Sequence, residues 1–118
     1  MRYMVMHYET EATEAGEKPT PEQVQAIGEF MQETASSGVL LGGEGVFPSS
    51  HGTRLEFAED DVRVIDGPFA EARELIAGFA ILDVDTLAEA VEIARKFGLV
   101  VGTGRVDIRR VVEFSDLP

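Results

Sequence analysis

Cysteine is absent from this 118-residue sequence, and histidine occurs only twice, at positions 7 and 51. The first absence removes disulfides, thiolate nucleophiles and cysteine-type zinc sites, and the second leaves too few imidazoles for a histidine-rich metal centre. Neither a metal nor an organic cofactor is expected. Basic residues are also scarce: ten Lys and Arg against twenty-two Asp and Glu give a formal charge of −12. Such a surface repels phosphate backbones and anionic lipid head groups, so neither nucleic acid nor a membrane is expected as a partner. No apolar run approaches the roughly 20 residues that cross a bilayer. The amino terminus, MRYMVMHYE, alternates like a strand with no small-residue cleavage site behind it. A soluble, cytoplasmic protein is the expectation. Phosphate-cradling loops are missing too, since Gly42-Gly43-Glu44-Gly45 lacks the strand-to-helix context and the lysine of a P-loop. Ser36-Ser37 and Ser49-Ser50 lack the setting of a serine nucleophile elbow.

What is present suffices for one core. Hydrophobic residues make up 44% and charged residues 27%, which at this length predicts one domain spanning residues 1–118. Residues 1–60 hold eleven acids and three bases, a net −8, while residues 61–118 hold eleven acids and seven bases, a net −4. Glu9, Glu11, Glu14 and Glu17 crowd one short segment, which reads as a solvated loop.

Residues 2–8 are rich in β-formers with neither alternate set cleanly polar, which predicts a strand covered on both faces. Thr20, Pro21 and Gln23 supply an N-cap, a first-turn proline and a capping box, so a helix is expected over 21–36 with Val24, Ile27, Met31 and Ala35 on its apolar stripe and Gly38 as its stop. Val39 to Glu44 reads as a short strand and residues 48–52 as a loop. Residues 53–57 and 62–66 alternate on either side of the acidic turn Glu59-Asp60-Asp61 and predict a hairpin. Another strand is expected over 78–84. Thr86 and Glu89 then open a helix striped by Leu87, Ala90, Val91 and Ala94, with Gly98 as its stop, and a last strand spans about 104–114. The order β-α-β, hairpin, β-α-β is a split βαβ pattern: an α+β fold, with an antiparallel sheet, two helices on one face and an inserted hairpin. Two helices cover only one sheet face. A homodimer is the economical way to cover the other, leaving a ligand pocket between or beside the sheets.

The most distinctive string is Asp66-Gly67-Pro68-Phe69, followed by Glu71, Arg73 and Glu74. Its structural reading is a turn in which Asp66 accepts downstream main-chain N–H groups, Gly67 takes positive φ, Pro68 stiffens the chain and Phe69 plugs an apolar pocket. Its functional reading is a rigid rim that presents Glu71, Arg73 and Glu74, with Asp66 adding charge, to a pocket. We favour the turn for Asp66. On the last strand, Arg105, Asp107 and Arg109 share a polar face opposite Val106 and Ile108, and Arg109 suits either an ion pair or a carboxylate-bearing ligand. Arg110, on the apolar side, is expected to snorkel or mark a bulge. His7 and Tyr8 point to opposite faces of the first strand, so one of them faces the dimer cleft. As a general base, His7 would need an orienting carboxylate and access to substrate.

With these segments in place, the chain resembles the YCII-related proteins of the DGPF type. The resemblance rests on Arg2-Tyr3-Met4 and Tyr8, on Gly38-Val39-Leu40-Leu41-Gly42-Gly43-Glu44, and on Asp66-Gly67-Pro68-Phe69 with Glu71 and Glu74. Asp83-Val84-Asp85 and Val106-Asp107-Ile108-Arg109 complete it. It departs at Arg73, where Lys is common, at Ala77, often the first of two glycines, and at Arg110, where Pro is frequent. The resemblance implies a ferredoxin-like, dimeric α+β barrel, in bacteria often encoded near extracytoplasmic-function sigma factors. It implies no settled reaction. The His and Asp pair proposed for the wider superfamily matches neither His7 nor His51 here. Two functions follow as expectations. One is binding or transforming a small organic molecule in a pocket of the homodimer, lined from Tyr8, Glu44, Asp66, Glu71, Arg73, Glu74 and Arg109, with His7 and Asp66 as the catalytic candidates. The other is a non-catalytic, regulatory dimer working with a sigma factor.

Overall fold

A computed structural model describes Met1–Pro118. Strand β1 (Arg2–Tyr8) leads through a short helix α1 (Glu11–Glu14) into α2 (Pro21–Ser36) and β2 (Leu40–Gly45). A 3₁₀ turn at Ser49–His51 precedes the hairpin β3 (Thr53–Ala58) and β4 (Asp61–Asp66). Then come β5 (Ile76–Asp83), α3 (Leu87–Val101) and β6 (Val106–Arg110). The main sheet has the order β2-β5-β1-β6 and is antiparallel throughout, with β3 and β4 forming a separate two-stranded sheet. With the hairpin set aside, this is the split βαβ arrangement, an α+β ferredoxin-like fold.

The caps behave as their residue types require. Thr20 accepts from the Gln23 N–H while Gln23 returns a hydrogen bond to Thr20, and Thr86 accepts from the Glu89 N–H. Glu89 turns to the Asp85 N–H instead of closing a box on Thr86. The core lies between one sheet face and α3. Tyr3 and Val5 of β1 and Ala80 and Leu82 of β5 meet Ala90, Ala94 and Phe97. Small side chains at 90 and 94 let the helix sit close to the strands, and Val106 and Ile108 extend the contact.

Several expectations are corrected. Helix α3 does not stop at Gly98 but runs to Val101 and closes at Gly102, in the left-handed conformation (φ 77°). Gly98 serves packing, because a Cβ there would lie 3.2 Å from Val106 Cγ2. On α2, Val24 and Ala35 are exposed and the contact face passes through Phe30 and Met31. The last strand ends at Arg110, after which Phe114–Asp116 forms a 3₁₀ turn held by Arg110–Asp116 (2.9 Å) and by Asp116 on the Glu113 N–H. Arg110 thus makes an ion pair rather than snorkelling. Within its own chain strand β1 is covered on one face, and the second is the face left for the expected dimer. Met4, Met6 and Tyr8, with Phe79 and Ile81 beside them, form the half-exposed centre of the second face. The acidic segment is not simply solvated, since Glu9 is buried and Glu14 accepts from the Ser49 N–H at 2.6 Å.

Candidate functional site

At the carboxyl end of β1 the polar faces of three segments converge. Tyr8 is the last residue of β1 on the uncovered side, and β6 runs antiparallel beside it. That pairing brings Asp107 within reach of the Tyr8 hydroxyl, which donates to Asp107 Oδ2 at 2.7 Å. Arg105 lies just before β6, and its guanidinium covers the Tyr8 ring at 4.0 Å, a cation–π contact. The same guanidinium donates from Nη2 to the main-chain oxygen of Arg73 at 2.7 Å, tying β6 to the turn before β5. The hydrogen bond to Asp107, and then partial desolvation, raise the Tyr8 pKa above the usual tyrosine value, with Arg105 opposing. Tyr8 therefore stays protonated at neutral pH, as a fixed phenol rather than a base.

These groups border a cleft of about 390 Å³, closed by Glu9, Glu11 and the Thr103–Gly104 turn. Arg73 and Arg105 both line it, and neither enters a salt bridge. In a chain of charge −12, two arginines without carboxylate partners at one opening make a local site for an anionic oxygen. Glu9 adds the opposite chemistry. It is only 6% exposed, and its Oε2 has no hydrogen-bond partner, so the cleft borders a buried acceptor that still lacks a donor. A groove of about 530 Å³ between α2 and α3 is larger; Phe30, Val39 and Ile93 line it together with Glu33, Thr34 and Lys96, and it holds none of the candidate site residues named from the sequence.

The structure brings Tyr8 and Arg73 together and disperses the remaining candidates. Glu71 and Glu74 flank Arg73 on its turn and are exposed. Glu44 on β2 is opposite Phe79, and Arg109 on β6 is opposite Met4; both belong to the uncovered sheet face, away from the cleft. His7 points the other way, edge-on to Phe97 under α3 at 5.3 Å between ring centroids. Burial lowers its pKa, and no carboxylate hydrogen-bonds to it.

Asp66 caps nothing: its carboxylate accepts no hydrogen bond, and Ser49 Oγ takes the Phe69 N–H instead, at 2.8 Å. Gly67 does not take positive φ. It is required because a Cβ there would fall on the carbonyl group of Ser49, against which the turn is seated. Phe69 is stacked beneath the Arg54 guanidinium at 4.1 Å. Glu9 and Arg105, which line the cleft, and Asp107, which accepts from Tyr8, are the candidates that the sequence does not single out. Arg105 and Asp107 were legible as a polar strand face, whereas nothing local distinguished Glu9 from its three glutamate neighbours.

The YCII-related domain matches this chain over residues 1–115. An uncharacterized protein of Rhizobium meliloti (strain 1021) is 30% identical over 112 residues, covering 92% of this chain and 90% of its own. Among solved structures, 5-chloro-2-hydroxyhydroquinone dehydrochlorinase (TftG) from Burkholderia phenoliruptrix AC1100, in complex with 2,5-dihydroxybenzoquinone, aligns with a TM-score of 0.52. That alignment covers 98% of this chain and 97% of the other at 8% identity, a likeness of fold. Taken with the split βαβ topology, the match along nearly the whole sequence means that the chain belongs to the family of YCII-related domain proteins.

Proposed function

We propose that the protein binds a small organic molecule carrying an ionisable oxygen in the Tyr8 cleft, and that it does so as a homodimer of DGPF-type domains. The observation that carries the reading is the pair of arginines without salt bridges, Arg73 and Arg105, beside Glu9 and Glu11 at one opening of an acidic molecule. They suit a carboxylate, phenolate or enolate oxygen. The unpartnered Glu9 oxygen suits a hydroxyl donor on the same molecule, and the fixed Tyr8 phenol sets its orientation. A hydroxylated quinone of the kind bound by the structural neighbour has both features. If turnover occurs, Glu9 is the group placed to accept a proton, because Tyr8 is held protonated and Asp107 is engaged by it. The uncovered sheet face, apolar at Met4, Met6, Phe79 and Ile81, supports the dimer.

Titration calorimetry with 2,5-dihydroxybenzoquinone tests the reading. Saturable binding is expected, weakened at least tenfold in Arg73→Ala combined with Arg105→Ala, measured at a temperature where circular dichroism shows the variant folded. Loss of each charge-assisted hydrogen bond is worth about 1.5–3 kcal/mol. Undiminished binding in that variant would overturn the site. Absence of any anionic or phenolic small molecule, both in calorimetry and in native mass spectra of the freshly purified protein, would overturn the function.

A further inference from the structure

The β3–β4 hairpin has no place in its own protomer. None of its twelve residues is buried, and Ile65 alone is half-buried. Its register puts Leu55 opposite Val64 and Phe57 opposite Val62, so these four side chains share one face, while Arg54, Glu56 and Arg63 share the other. That apolar face is turned to solvent, with Phe57 76% and Val64 67% exposed. A two-stranded hairpin is marginal in water by itself, and a sheet face of this composition is stable when covered. The root of the hairpin, in contrast, is firmly fixed. The Gly67 N–H bonds Gly52 O at 2.9 Å, Arg54 stacks on Phe69, and Ser49 ties the turn to Glu14. This is a stiff arm with an uncovered apolar side.

The dimensions of the chain say how much cover is missing. Its radius of gyration is 16.2 Å, against about 13.5 Å for a compact chain of this length. The accessible surface is 8337 Å², where a compact monomer of 12.8 kDa would show about 6,300 Å². The excess is about 2,000 Å² per chain, hence about 4,000 Å² for a pair, inside the range of roughly 2,000–5,000 Å² buried by obligate homodimers. The shortest dimension, 20 Å, leaves room for the sheet and one helical layer, so the arm does not fold back over its own sheet. The same chain also carries a matching receiver, the uncharged centre of the uncovered face at Met4, Met6, Phe79 and Ile81. Its rim holds Arg109, which has no salt-bridge partner, along with Glu44 and Asp107, and the hairpin tip is Glu59-Asp60-Asp61, so Arg109 is the rim charge that suits the tip.

We infer that the hairpin is an exchanged arm: in the dimer, each copy lays the Leu55, Phe57, Val62 and Val64 face of its hairpin across the open sheet of a second copy. A twofold arrangement satisfies both faces of both chains at once and closes the assembly. This inference rests on the dimer proposed above and adds which element makes the interface.

The absence of native cysteine gives a clean test on the full chain. Light scattering on the wild type and on Leu55→Ser combined with Phe57→Ser is expected to show a dimer and a monomer respectively at micromolar concentration. The dimer Kd should rise at least 100-fold while the helical far-ultraviolet circular dichroism signal is kept. In parallel, Phe57→Cys protein mixed with Met6→Cys protein is expected to give a mixed disulfide dimer on mild oxidation, in preference to either homodimer. A monomeric wild type would overturn the dimer and the arm together. A dimeric wild type whose hairpin variant keeps its Kd, or whose cysteine variants form no mixed species, would overturn the arm alone and leave the dimer standing.

Discussion

Replacing Ser49 by Ala removes one atom from the junction that holds the Asp66–Phe69 turn, and its cost can be worked from the structure. Ser49 Oγ is the acceptor for the Phe69 N–H at 2.8 Å, in a residue only 9% exposed. The alanine keeps the Ser49 N–H on Glu14 and the carbonyl under Gly67, so the loss is confined to that hydrogen bond and the half-buried N–H it leaves without a partner. An orphaned donor of this kind costs about 1–2 kcal/mol. At this chain length each kcal/mol lowers Tm by roughly 3–6 °C, so a fall of about 3–12 °C is expected. Asp66→Ala removes an exposed carboxylate that accepts nothing and should stay within about 0.5 kcal/mol of wild type. Urea and thermal unfolding of both variants, at one fixed protomer concentration because association moves Tm, decide between the two residues. An Asp66→Ala loss equal to or greater than the Ser49→Ala loss would refute the assignment of the turn to Ser49. Adding Glu14→Ala to Ser49→Ala should cost other than the sum of the two, since both act on one junction.

Other outcomes follow from the same geometry. The chain has two tyrosines. In Tyr3→Phe protein, the ultraviolet phenolate signal of Tyr8 should appear above pH 10 and move down in Asp107→Asn, as the hydrogen bond that raises its pKa is weakened. His7 has its pKa lowered by burial, so the unfolded chain takes up the proton first. The stability it contributes is therefore complete above about pH 6.5 and falls as the pH drops below that value, a dependence that His7→Phe should flatten in denaturation curves taken from pH 7.5 to 5. Gly67→Ala should yield little folded protein, because its Cβ has no space beside Ser49. Gly42→Ala, with nothing within 4 Å of the added Cβ, should express and melt like wild type.

Local chemistry made the elements legible, and contacts remote in sequence supplied the rest. Thr20 and Thr86 announced their helices because capping is decided within four residues, and period-two alternation gave the hairpin and its faces. Gly98 misled because a glycine that lets another element approach looks the same in sequence as one that ends a helix, and only Val106, on the next strand, distinguishes them. Asp66 misled for the related reason that its expected capping role is filled by Ser49, seventeen positions earlier. In the cleft, Tyr8 and Arg73 were named from strand parity and turn position. Their assembly with Glu9, Arg105 and Asp107 required knowing that β6 lies against β1, which no periodicity shows.

The pairing of β1 has a consequence for how the chain is made. Strand β1 takes its two neighbours from residues 76–83 and 106–110, so it leaves the ribosome well before either of them. During synthesis RYMVMHY emerges with both edges unpaired and must wait, apolar and β-prone, until β5 and then β6 have followed. The four-stranded sheet is completed only once β6 has emerged, so slowing elongation lengthens the time that this segment is open to chaperones and to aggregation.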